Sequence, residues 1–144
     1  MRRFAEICDR IAATTRKLEK ERILSEYLRD LGDEDLATAV HFLCGAPFAR
    51  RDQRTVNTGF AAVRDALLDL HPDWTDTLGP ALLRTGDAGE AVAELMAGHA
   101  APSKPLSLHD VSSYYQELTT VTAAAERRRL TRDILQRASP EEAK

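Results

Sequence analysis

The sequence predicts an all-α fold, a single domain of about eight helices in packed pairs, and three observations predict it. No stretch alternates apolar and polar residues long enough to make a strand, whereas apolar spacings of three and four recur along the chain. Helix-stopping residues fall between these runs, at Gly32, Gly45-Ala46-Pro47, His71-Pro72-Asp73 and Pro140. The 144 residues are enough to bury one core without disulfide or metal staples.

Taken in order, a first helix over about Phe4 to Thr14 would bury Phe4, Ile7, Cys8 and Ile11. A second, about Leu18 to Leu31, carries Ile23, Leu24, Tyr27, Leu28 and Leu31 and stops at Gly32 as its C′ residue. Asp33 then caps a third, with Leu36, Val40 and Leu43 inward. The stretch from Arg50 to Leu70 supplies the fourth, its stripe being Val56, Phe60, Val63, Leu67 and Leu70. Trp74, Leu78 and Leu82 belong to a shorter helix interrupted at Gly79-Pro80, where proline suits a first turn. Asp87 can cap a helix with Val92, Leu95 and Met96, and residues 98–107 read as a crossing linker. Ser107 with Asp110 forms a near capping box for a helix burying Leu108, Val111, Tyr115, Leu118 and Val121 or Thr122. Ala123 to Ala138 is the last full helix, with Leu130, Ile134 and Leu135 inward, and Pro140 takes the N1 position of a further one. That opening suggests a piece of a longer polypeptide.

Function classes narrow by composition. Cys8 and Cys44 lie in apolar helical patterns and read as reduced core residues, not as a disulfide frame or metal site. The start lacks the apolar run of a signal peptide, and no segment approaches the ~20 apolar residues of a membrane span, so a cytoplasmic protein with no membrane partner is expected. The net charge is −3, but it is segregated: residues 50–64 carry +3 and residues 65–101 carry −6. A basic binding face can coexist with an acidic remainder because charges beyond about 10 Å are screened at moderate salt.

The basic segment is the candidate site. Arg50, Arg51 and Arg54 precede Thr55, Asn57, Thr58 and Gly59, small residues of the kind found where a helix start leaves backbone N–H groups free. Guanidinium groups beside such amides can seat phosphate oxygens. A solvated loop is the competing reading of the same residues. Arg127, Arg128 and Arg129 span most of a helical turn, so no single partner meets all three, whereas a phosphate-lined groove could meet two. Other tempting groups carry little. His41 and Cys44 share a turn but are too few for a closed zinc site. Tyr114 and Tyr115 read as one core residue and one partly buried support. No Walker sequence, dinucleotide glycine pattern or Ser/His/Asp spacing is present.

Three places, in order, resemble the N-terminal DNA-binding domain of ATP-dependent DNA ligases. FAEICDRI at residues 4–11, followed by Ala13, Thr14, Thr15 and Lys17, is similar to the family's first helix and its "TT" turn. TVNTGF at 55–60 and RTGDAGEAVA at 84–93 resemble the "LxVG" helix start and the "xGDxG" turn. KPLSLHDV at 104–111, with Tyr115 on the helix it opens, is the third, followed by TAAAERRR at 122–129 and by PEEAK at 140–144 in place of "EAxY".

The resemblance implies a DNA ligase N-terminal domain that binds nicked duplex DNA through the phosphate backbone and minor groove, without reading sequence. Arg50, Arg51, Arg54, Asn57, Thr58 and Gly59 would form one phosphate seat, and Lys104 with Arg127, Arg128 and Arg129 another. The implied partners are DNA and the catalytic domains of the same parent chain, a nucleotidyltransferase and an OB-fold, in a monomer of the bacterial cytoplasm associated with the nucleoid. ATP and Mg²⁺ are implied for that parent. No cofactor is expected in this chain, because none of its lysines, 17, 20, 104 and 144, begins the KxDG motif that carries the nucleotide. The family's "RxxxGxxRxG" region is also absent. The alternative reading is a helical protein-binding adaptor that uses the acidic 65–101 region.

Overall fold

A computed structural model describes residues 1–56, 58–97 and 104–144; Asn57 and the expected linker at 98–103 lie outside the described residues. Among the described residues the regular structure is all helical: α1 (Arg2–Ala12), α2 (Lys17–Arg29), α3 (Asp33–Leu43), α4 (Phe60–Leu70), a 3-10 turn (Pro72–Asp76), α5 (Leu78–Thr85), α6 (Ala88–Met96), α7 (Leu108–Thr120) and α8 (Ala124–Leu135). Sequence neighbours pair as α1 with α2 and α5 with α6, while α4 with α8 and α3 with α7 join distant parts of the chain.

Local chemistry sets several of the boundaries. Ser107 Oγ accepts from the Asp110 N–H at 3.0 Å while the Asp110 carboxylate accepts from the Ser107 N–H at 2.8 Å, a complete capping box in which Asp replaces the usual Glu. Asp87 caps α6 through the Glu90 N–H at 2.9 Å. Just before it, Gly86 closes α5 at φ +71, a left-handed backbone that favours glycine. Gly45 ends α3 in the same way at φ +70.

Two apolar clusters form. Ile7, Ile23, Tyr27, Ala39 and Leu108 make the first, with Phe4 and Phe42 set edge-on against neighbouring rings. Leu67, Trp74, Leu78 and Val92 make the second, flanked by Val63, Leu82 and Leu135. A fully buried leucine such as Leu67 or Leu118 contributes about 1.5–3 kcal/mol relative to an exposed one. An open cleft of about 490 Å³ lies between the clusters, lined by Phe4, Phe42, Val63, Tyr114, Tyr115 and Leu135 among others.

The structure corrects several sequence expectations. Gly32 does not end α2 in a left-handed turn; Asp30 is its C-cap, and Gly32, extended at φ −72, is the N-cap of α3, so Asp33 opens the helix without capping it. Val40 is 39% exposed and Ala39 is the buried residue, because α3 turns Ala39 and Phe42 toward α1, α2 and α7. Cys44 is exposed, being the C-cap beyond the last turn, while Cys8 is half-buried and burial pushes its thiol up. The Trp74 to Leu82 stretch divides into the 3-10 turn and α5, with Pro72 opening the former. The last helix is shorter than expected, and Thr131 is its fully buried residue. After it, Ser139 to Lys144 forms one turn rather than a helix, with the Glu142 and Ala143 N–H groups donating to the Ser139 carbonyl at 3.0 Å.

Candidate nucleic-acid interface

The fourth helix begins later than its apolar spacing suggests. Gly59 is the N-cap of α4 and offers no capping side chain, Val56 precedes the helix, and Phe60 at its first position is 41% exposed. The uncapped first turn leaves N–H groups without helical acceptors. The described residues between α3 and α4, 44–56 and 58–59, are irregular and run from the first apolar cluster to the second, and they carry the basic segment.

Its three arginines are not equivalent. Arg50 and Arg51 lie in a turn, exposed, and make no ion pair among the described residues. Arg54 is held on two sides. Its Nε and Nη2 meet the Asp52 carboxylate at 3.0 and 2.6 Å, and its guanidinium lies 4.4 Å from the Phe48 ring centroid. The Arg54 side chain and N–H hydrogen bonds hold the Asp52 carboxyl down at about 2. Arg54 thus shapes the loop it was expected to arm.

Arg127, Arg128 and Arg129 point to different partners. Arg127 reaches back to the end of α7, donating to the carbonyls of Leu118 at 2.8 Å and Val121 at 2.7 Å, and its Nη2 donates to Thr58 Oγ1 at 2.9 Å. Arg128 pairs through Nε and Nη2 with both carboxylate oxygens of Asp69 on α4, and that hydrogen bonding lowers the Asp69 pKa. Arg129 is satisfied on its own helix by Glu126 at 2.7 Å and Asp133 at 2.7 Å. Lys104 is exposed in a bend ahead of the Ser107 cap and has no ion pair among the described residues. Thr58 is half-buried, Gly59 is exposed, and Asn57 lies outside the described residues.

The structure therefore brings together two stretches that are far apart in sequence. Thr58 and Arg127, 69 residues apart, are hydrogen-bonded, and α4 packs along α8 so that the loop before α4 and the first turn of α8 form one edge. Charge runs and spacing alone did not show that Asp52, Asp69, Glu126 and Asp133 occupy four of the guanidinium groups' binding directions. The acids one turn away from Arg129 were visible at helical spacing; Asp69, on another helix, was not.

Among the described residues there is no group of three or more His, Cys, Asp or Glu side chains placed to hold a metal ion, and no helix long and apolar enough to cross a membrane. Tyr114 and Tyr115 are half-buried supports: Tyr115 packs edge-on against Phe42 at 5.8 Å, and the Tyr114 hydroxyl is 3.0 Å from Thr131 Oγ1. Burial pushes both phenols up.

Comparison with known proteins identifies the family. The family described as DNA ligase N terminus matches residues 1–144. A probable DNA ligase of Koribacter versatilis is 31% identical over 144 residues, all of this chain and 25% of that protein. A probable DNA ligase of Opitutus terrae is 34% identical over 107 residues, 70% of this chain and 10% of that protein. A DNA ligase of Methanoculleus marisnigri is 30% identical over 132 residues, 92% of this chain and 24% of that protein. The chain thus spans a quarter or less of the length of each of these relatives.

Proposed function

The chain belongs to the DNA ligase N-terminus family, and we propose on that premise that it grips duplex DNA at a nick through the phosphate backbone and minor groove. In this reading it acts as the holding domain of a ligase whose catalytic domains lie elsewhere in the parent polypeptide. The observation that carries the reading is the single edge made by the loop before α4 and the start of α8, joined at Thr58 and Arg127. Arg50 and Arg51 are exposed cations of this edge with no ion pair among the described residues, and they, together with the exposed Lys104 ahead of α7, are the proposed direct phosphate contacts. Arg54, Arg127, Arg128 and Arg129 add positive potential while their hydrogen bonds are used within the fold.

Contacts of this kind neutralise phosphates without reaching base edges, so the grip is indifferent to base sequence. The sealing chemistry, with ATP and Mg²⁺, belongs in this proposal to the other domains of the parent, because no lysine here begins a KxDG motif. The protein acts as a monomer in the bacterial cytoplasm, on the nucleoid.

The test is a titration of labelled nicked and intact duplexes at rising salt. Two or three neutralised phosphates give a log–log slope of about −2 to −3, the same for unrelated sequences. Binding that ignores salt, or its absence at low salt, would overturn the reading. A protein-binding adaptor using the acidic 65–101 region would instead retain its partner at high salt.

A further inference from the structure

Arg127 stands out because its guanidinium hydrogen bonds join three segments. Its Nη1 donates to the carbonyls of Leu118 at 2.8 Å and Val121 at 2.7 Å, where α7 ends and carbonyl groups run out of helical donors. Its Nη2 donates to Thr58 Oγ1 at 2.9 Å, one residue before the N-cap of α4. The main chain of the same residue is held too. The Arg127 carbonyl accepts from Thr131 Oγ1 at 2.9 Å, and that oxygen, its proton committed, accepts from the Tyr114 hydroxyl at 3.0 Å. Thr131 is 1% exposed, so this chain of bonds runs from α7 through the interior to the Arg127 backbone.

A planar guanidinium presents its N–H groups in fixed directions and can serve two carbonyls and a hydroxyl at once. A lysine ammonium on a flexible stem supplies the charge without that geometry. The side chain is half-buried and faces protein acceptors, which is poor placement for a phosphate contact but good placement for fixing a loop. Gly59, beside Thr58, has no side chain of its own to cap α4, so the Thr58 bond is the local side-chain tie at that helix start.

We infer that Arg127 is a positioning residue for DNA binding: through Thr58 it fixes where the loop carrying Arg50 and Arg51 meets α4 and α8. The inference rests on the reading of that loop as the DNA grip. Arg127 acts on the ligand at one remove, and its contribution lies in the fork geometry rather than in its charge.

The experiment compares the full chain with R127K, T58V, the double variant and R51E, using a labelled nicked duplex at fixed low salt. Melting temperature and amide exchange at residues 55, 56, 60 and 61 are read alongside. R127K keeps the charge and loses the fork, so its affinity falls about three- to tenfold. T58V falls similarly, and the double variant falls no further than R127K, because the bond that T58V removes is already lost in R127K. The four amides exchange faster in each variant. T58V keeps the test informative should R127K fold poorly. Wild-type affinity in R127K, or strictly additive losses in the double variant, would overturn the inference in favour of direct or independent contacts. If R51E binds as tightly as wild type, the reading of the loop fails, which is a different result from R51E weakening while R127K and T58V do not.

Discussion

Two arginine triplets, Arg50/Arg51/Arg54 and Arg127/Arg128/Arg129, carry the same formal charge and end in opposite conditions. In the first, two guanidinium groups stay exposed without acid partners among the described residues and the third is folded onto Asp52 and Phe48. In the second, every guanidinium is engaged by the protein: by α7 carbonyls and Thr58, by Asp69, and by Glu126 with Asp133. The first triplet sits on irregular backbone, with Asp52 the only acid in its stretch. The second sits on a helix, where acids three and four residues away are within reach and a packed neighbour supplies another. Formal charge therefore overstates what a helical cluster can offer a ligand, and the availability of a cation depends on the backbone that carries it.

The largest break in this comparison comes from reversing the free pair. R50E with R51E should weaken binding to duplex DNA on the order of a hundredfold at low salt, with the melting temperature unchanged. Reversing Arg128 and Arg129 instead should lower the melting temperature and cost less affinity. Equal losses of affinity from the two double variants would erase the distinction.

A smaller effect tests whether the second triplet serves the fold. Arg128→Ala removes the clamp between α8 and α4 and should lower the melting temperature by about 1–3 °C at neutral pH. The sign of its pH dependence follows from Asp69. The folded-state pKa of Asp69 is depressed below its ordinary value of 3.8 by Arg128. Its stabilisation is therefore complete above that value and is lost as pH falls through the lower, folded one. The gap between wild type and Arg128→Ala should close in acid below pH 3.8 and stay open above it; thermal melts across pH 2 to 7 read this directly.

The smallest expected change sharpens the contrast within the first triplet. Asp52→Asn removes the acid that clamps Arg54 and should raise duplex affinity about two- to threefold at low salt, fading as salt rises. An unchanged affinity, measured in the same titration, would mean that the Phe48 stack alone keeps Arg54 out of reach.

Much of the fold was legible in the sequence where its cause is local. Ser107 with Asp110, Asp87 and Gly45 act within one turn of their own residues, and the structure shows them doing so. What failed needed knowledge of partners. Val40 and Ala39 are adjacent, and which one faces inward depends on where α1 and α7 lie, which periodicity in α3 alone does not specify. Phe60 fits the spacing of Val63 and Leu67 but sits at the helix's first position, beyond the reach of the second cluster. The candidate site divided along the same line. The basic stretch before α4 was visible as charge, whereas the bond from Arg127 to Thr58 spans 69 residues and the clamp from Arg128 to Asp69 spans 59. No local signal encodes either.

The division of the core into two clusters has its own consequence. The clusters share no residue, and an open cleft lies between them. Helices α7 and α8 bridge them, so the two clusters are held to each other by the packing of α8 against α4 and α7 and by the Arg127 bonds. The described residues between α3 and α4 run from the first cluster to the second, and Arg50 and Arg51 ride on them. A duplex bound at those two arginines would add a further tie between the clusters, so that the ligand stabilises their packing as well as being held by it.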